Sequence, residues 1–201
     1  MKYSDIDLRK NAFIFELDNV LYPEKDYLYQ VYYLFASFLE YTELINAKDV
    51  TNLMINTYLS KGADAVFDRL KDEFEIDEKY RYNFNHLNKT AKLPLKLLLH
   101  QEMLDLLQEI VVDRKKIFIV TNGDPGQQLN KIKQTEWSGL EPYLVCYFAN
   151  ETVPKPETDS IDLVIKDHDL QRRNIVMIGN SDIDMKCAEA CGIDYMSSES
   201  N

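Results

Sequence analysis

Four short apolar runs, each giving way to polar residues at its carboxyl end, constrain this chain more than any other feature: residues 12–17, 117–120, 143–148 and 174–178. Their length, their β-branched and aromatic side chains and their polar flanks mark them as buried strands. A run at 193–196 reads as a last short strand. From Leu93 onward strands alternate with helical spacing, at about 97–112, after Asp124, at 159–167 and at 182–190. Asp124 and Pro125 supply an N-cap and a first helical residue, and Gly192 supplies a stop. Such alternation predicts an α/β fold, a parallel sheet covered by helices on both faces. Ligands in such sheets gather at the carboxyl ends of the strands.

Between the first strand and the rest lies a block with no strand pattern. Apolar spacing predicts a long helix at about 26–45 and shorter ones at 49–60, 64–74 and 78–88, with Gly62 and Asp77 as punctuation. The long helix carries Tyr27, Tyr29, Tyr32, Tyr33, Phe35, Phe38 and Tyr41. An aromatic stripe at helical spacing reads as packing surface before it reads as a ligand face. The expected organisation is a core of residues 1–21 plus 94–201 and an all-helical insertion at 22–93.

Composition removes several function classes. A length of 201 residues with 45% hydrophobic side chains suits one core with a smaller module. A net charge of -11 repels nucleic-acid backbones, and no basic patch offsets it. The polar start MKYSDIDLRK lacks the apolar centre of a signal peptide, and no run is long enough to span a bilayer, so a cytoplasmic location is expected. The cysteines are odd in number, and Cys187 and Cys191, one helical turn apart, read as small core residues.

The strand ends carry the chemistry. The first gives Glu16 and Asp18, and the second gives Thr121, Asn122 and Gly123. The third is followed by Lys155, and the fourth by Asn180, Ser181, Asp182 and Asp184. This is the equipment of phosphoryl transfer. One carboxylate attacks phosphorus or holds a divalent cation, and a second moves the proton. A hydroxyl and a main-chain amide beside glycine grip phosphate oxygens, and a lysine offsets charge.

The ordered set resembles the motifs of the haloacid dehalogenase (HAD) superfamily, most of all its phosphatases. FELDNVLYPE is similar to DxDx[TV], IVTNG to a strand ending in Thr or Ser, VPKPE to the lysine motif, and MIGNSDIDMKCAEACG to GDSxxDxxAAxxAG. The resemblance spans nearly the whole chain and implies a Rossmann-like core with a small helical cap after the first strand. It implies a Mg2+-dependent phosphatase acting on a small phosphorylated metabolite, and composition argues against nucleic-acid and membrane partners. Glu16 takes the nucleophile position and Asp18 the acid/base position. Thr121 and the Asn122 and Gly123 amides would bind phosphoryl oxygens, and Lys155 would pair with nucleophile and phosphate. The implied metal set is Glu16, the Asp18 carbonyl, Asn180 and Asp184. Asp18 favours a phosphatase over a dehalogenase, which generally lacks that second acid.

Two positions depart from the pattern. Glu16 and Asn180 stand where the family has Asp. Glu lengthens the stem by one methylene, and a displacement of ~1 Å at a reacting group can cost on the order of 10²-fold in rate. Asn offers a carbonyl oxygen without charge. The sequence therefore leaves three readings open. One is a working hydrolase with Glu16 as nucleophile, in which Asp182 or Asp184 restores lost charge. Another is a degenerate member that binds a phosphorylated ligand or a protein with little turnover. In the third, the carboxylates bind only a metal or act only structurally.

Overall fold

The computed structural model describes residues 1–198. In chain order the elements are β1 (Ala12–Phe15), α1 (Glu24–Glu43), α2 (Ala47–Lys61), α3 (Val66–Phe74), α4 (Tyr80–Thr90), β2 (Leu97–Leu98), α5 (Gln101–Val112) and β3 (Lys116–Thr121). Then follow α6 (Pro125–Gln134), β4 (Thr135–Glu136), β5 (Leu144–Phe148), α7 (Asp159–Asp167), β6 (Ile175–Gly179), α8 (Asp182–Cys191) and β7 (Asp194–Ser197). Short 3-10 turns occupy several of the connections. The chain divides into two compact units, Met1–Glu24 with the chain from Leu97 onward, and Lys25–Lys96.

The first unit is built on a five-stranded parallel sheet of order β5-β3-β1-β6-β7. This is the α/β, Rossmann-like arrangement that the alternating pattern predicts. β1 lies at the centre, with every residue buried, because Ala12 and Ile14 point to one face and Phe13 and Phe15 to the other. One face packs Ile14, Phe118, Val120 and Met177 against Ile161 and Val164 of α7 and Ala188 of α8. Cys187 and Cys191 are free thiols in that same cluster, as core residues should be. Cys146 is only partly buried.

The helix expected at 97–112 begins instead at Gln101. Leu97 and Leu98 pair in parallel with Thr135 and Glu136, and the His100 amide donates to the Leu21 carbonyl, so the preceding backbone bonds to β4 and the loop after β1. A two-residue strand leaves no periodic trace in sequence, whereas the apolar spacing runs on without a break. Among the described residues no helix is long and apolar enough to cross a membrane.

The second unit consists of the remainder of α1 with α2, α3 and α4. Along α1 the buried residues Tyr27, Leu28, Val31, Tyr32, Phe35 and Leu39 form one stripe. Phe35 packs against Phe67 of α3 and Phe84 of α4, at ring-centroid distances of 6.2 and 5.1 Å. The aromatic stripe is therefore core, while Tyr33 and Tyr41 on the same helix are exposed.

Candidate active site

At the carboxyl end of β1 the ladder continues one residue beyond the strand, where the Glu16 amide donates to the Ile178 carbonyl at 3.0 Å. This seats Glu16 between β1 and β6 at the edge of the core. The chain then turns back on itself. Asn19 adopts a left-handed φ of 60°, which Asn tolerates, and its Oδ1 accepts from the Glu24 amide at the start of α1. The turn brings the Tyr22 hydroxyl to Asp18 Oδ1 at 2.7 Å.

Three strand ends meet at Lys155. Its Nζ donates to Glu16 Oε2, to Asp184 Oδ1 at 2.6 Å and to the Val120 carbonyl at 3.0 Å. Lys155 is 3% exposed and Asp184 is 1% exposed, so these charges survive only as a group. Burial works against the Lys155 ammonium, but the two carboxylates outweigh it and lift its pKa above the ordinary lysine value. For the Glu16 carboxyl burial wins: it lifts the pKa above the ordinary glutamate value, with Asp184 adding to the push, although Lys155 and Thr121 pull the other way. Glu16 Oε1 accepts from the main-chain amide of its own neighbour, Leu17, at 2.8 Å.

Asp184 is fixed from the other side by the Ser181 hydroxyl at 2.7 Å and the Asn180 amide at 3.3 Å, while Ser181 caps α8 by accepting from the Asp184 amide. This packing explains Gly179. A Cβ there would lie 2.5 Å from the Asp184 Cβ. Gly179→Ala should therefore lower stability by about 1–3 kcal/mol, the usual cost of overpacking. Chemical denaturation measures it, and an unchanged midpoint would show that Asp184 can give way.

The remaining positions divide between the cavity lining and the side chains that brace it. The Asn122 side chain clamps the Lys155 main chain, donating to its carbonyl at 2.9 Å and accepting from its amide at 3.0 Å. The Gly123 amide donates to Asn150 Oδ1 at 2.9 Å, so a side chain outside the motifs already occupies this expected phosphate donor. Asp182 is exposed in the first turn of α8, away from the lysine cluster. Glu16, Asp18, Asn122, Asn180, Ser181, Ile183 and Asp184 line a cavity of about 200 Å³.

Sequence reasoning missed two residues of α6. Gln128 and Lys131 are that helix's buried side chains, whereas Leu129 is 40% exposed. Gln128 Nε2 bonds both Thr121 Oγ1, at 2.7 Å, and Asp18 Oδ2, at 2.8 Å. Lys131 Nζ reaches the same Asp18 oxygen at 2.6 Å and Glu24 at 3.7 Å. The available signal was the i, i+3 spacing of two polar residues just after a chemistry-bearing strand end, on a helix whose apolar residues do not complete a stripe.

The donors around the cavity suit a hard cation in kind, being all oxygen. Three carboxylates, Glu16, Asp18 and Asp184, face two ammoniums, Lys155 and Lys131, leaving an excess negative charge for a cation to answer. Among the described residues no three His, Cys, Asp or Glu side chains form a ready metal cluster, so such a cation would also lean on Asn180 and main-chain oxygen.

The profile of haloacid dehalogenase-like hydrolases matches residues 13–197. The chain belongs to this family. Several solved hydrolase structures share its fold at low identity. One is a hydrolase from Streptococcus pneumoniae, 17% identical over 94% of this chain and 92% of that one, with a TM-score of 0.56. Another is a magnesium-bound HAD-hydrolase from Bacillus subtilis, 17% identical over 93% and 86%, with a TM-score of 0.61. A third is the L-2-haloacid dehalogenase of Xanthobacter autotrophicus with chloropropionic acid covalently bound, 15% identical over 92% and 76%, with a TM-score of 0.54. No curated protein matches the sequence.

Proposed function

We propose that this HAD family member is a phosphoric monoester hydrolase for a small phosphorylated metabolite. One observation carries the reading: a buried lysine bridges Glu16 and Asp184 beside a small cavity that a second acid, Asp18, also lines. Glu16 Oε attacks phosphorus, forming a carboxyl phosphate as the bond to the leaving oxygen breaks. Asp18, having first taken up a proton from solvent, gives it to that oxygen, then takes one from the water that releases phosphate. Lys155 offsets the charge gathered between carboxylate and phosphoryl group, and the Thr121 hydroxyl binds a phosphoryl oxygen. Mg2+, when bound, would neutralise phosphoryl charge, held by Glu16, the Asp18 main-chain carbonyl and Asn180, with Asp184 in support. The Gly123 amide joins only when Asn150 releases it.

Purified protein is expected to hydrolyse p-nitrophenyl phosphate in the presence of Mg2+, and Asp18→Asn to lower kcat by on the order of 10²-fold or more, because the base that activates water against the carboxyl phosphate is lost. A variant as fast as the wild type removes Asp18 from the mechanism. The second reading, binding with little turnover, draws on Glu16 and Asn180, where a longer acid and a neutral amide replace two aspartates. Phosphate release separates the two readings.

A further inference from the structure

Both carboxylate oxygens of Asp18 are held by side chains. Tyr22 donates to Oδ1, and Gln128 and Lys131 donate to Oδ2. Lys131 is 2% exposed and Gln128 1%, so α6 buries an amide and an ammonium where its own leucine stays outside. Burying an ammonium is costly unless a specific partner compensates, and Lys131 finds that partner in an acid of the cavity. Gln128 adds geometry, since its one Nε2 ties Asp18 to the Thr121 hydroxyl. Neither residue belongs to any of the four motifs.

Resting on the hydrolase reading above, we propose that Lys131 and Gln128 are positioning residues that fix the Asp18 carboxylate at the cavity and so set how well the enzyme serves poor leaving groups. An aryl phosphate departs with little help from an acid, whereas an alkyl phosphate needs a placed proton donor. Misplacing Asp18 therefore penalises alkyl esters selectively, which a general loss of folded protein cannot do. For Lys131→Met we expect kcat/KM, which reports the step in which the leaving oxygen departs, to fall at least about 10-fold further on glycerol 2-phosphate than on p-nitrophenyl phosphate. Lys131→Arg should recover much of that ratio, and Gln128→Leu should shift it the same way by less. An unchanged ratio in Lys131→Met overturns the proposal. A stability cycle over Lys131→Met, Asp18→Asn and the double variant needs no turnover. The Tm loss from Lys131→Met should shrink by more than half in the Asp18→Asn background, and additive losses would overturn the pairing. A wild type that hydrolyses neither ester takes away the hydrolase reading alone, and the cycle then decides whether Lys131 serves Asp18.

Discussion

Replacing Lys155 by Met is expected to abolish phosphate release and to lower stability by ~3–5 kcal/mol, the range found when one partner of a buried ion pair is removed. The side chain serves two carboxylates and a carbonyl from three different strand ends while almost fully buried. Methionine fills a similar volume, so the loss is of charge and hydrogen bonds rather than of packing. Glu16 and Asp184 would then face one another without compensation. The readiest relief is for one of them to take up a proton, which recovers part of the energy but disarms the nucleophile. At about 2–4 °C per kcal/mol for a chain of this size, the melting temperature should drop by on the order of 10 °C. Lys155→Arg should not restore activity, because a planar fork cannot reproduce three bonds made by a compact ammonium. Differential scanning calorimetry beside a phosphate-release assay gives both readouts. A Lys155→Met protein melting with the wild type would mean that the two acids are not held as charges, and would undo the electrostatic account of the site.

The same cluster shows which parts of this molecule can be read from sequence. Lys155, Glu16 and Asp184 lie far apart in the chain, yet each follows a strand that the apolar runs mark plainly, and a parallel sheet brings all its carboxyl ends to one edge. β1, β3 and β6 are legible because their burial is two-sided, so hydrophobicity runs unbroken through residues such as Phe13, Ile14 and Phe15, whereas the edge strand β5 is only partly buried and is marked by its apolar composition. Less legible is whatever depends on a local exchange of partners. Leu97 and Leu98 look helical by spacing and are strand by pairing. On α6 the pattern misleads outright, since Leu129 is exposed and Lys131 is not. A helix flanking an active site answers to the charges of that site as well as to the hydrophobic effect, and only the fold reveals that Asp18 lies opposite. For the same reason Gly123 read as a phosphate donor. Nothing in the sequence places Asn150 against its amide.

Restoring both aspartates, as Glu16→Asp with Asn180→Asp, decides between the two functional readings: a site that binds with little turnover should gain roughly 10²-fold or more in phosphatase activity, whereas a site with a competent Glu16 nucleophile should gain little. The glutamate stem lets Glu16 curl back, so that Oε1 bonds the amide of Leu17 while Oε2 bonds Lys155. Both oxygens are thus held by the protein, and an attacking oxygen must first leave one of these bonds. Aspartate, one methylene shorter, has less reach for that fold-back, and a correction of ~1 Å at the reacting atom is worth about two orders of magnitude. The second change acts on the cation. Asn180 contributes no charge, and the Asp184 oxygens are already engaged by Lys155, Ser181 and the Asn180 amide. An aspartate in place of Asn180 would add a further carboxylate to a site whose negative excess is small. Calorimetric titration should therefore show Mg2+ binding at least about tenfold tighter in Asn180→Asp alone, without any substrate. If the double variant gains rate while the wild type is nearly silent, the natural protein is a binder with a preserved site. If the wild type already matches the double variant, Glu16 is a competent nucleophile and the binding reading fails. Tighter Mg2+ without faster turnover in Asn180→Asp would place the whole handicap at Glu16, because charge would then have been restored to a site that still cannot aim its nucleophile.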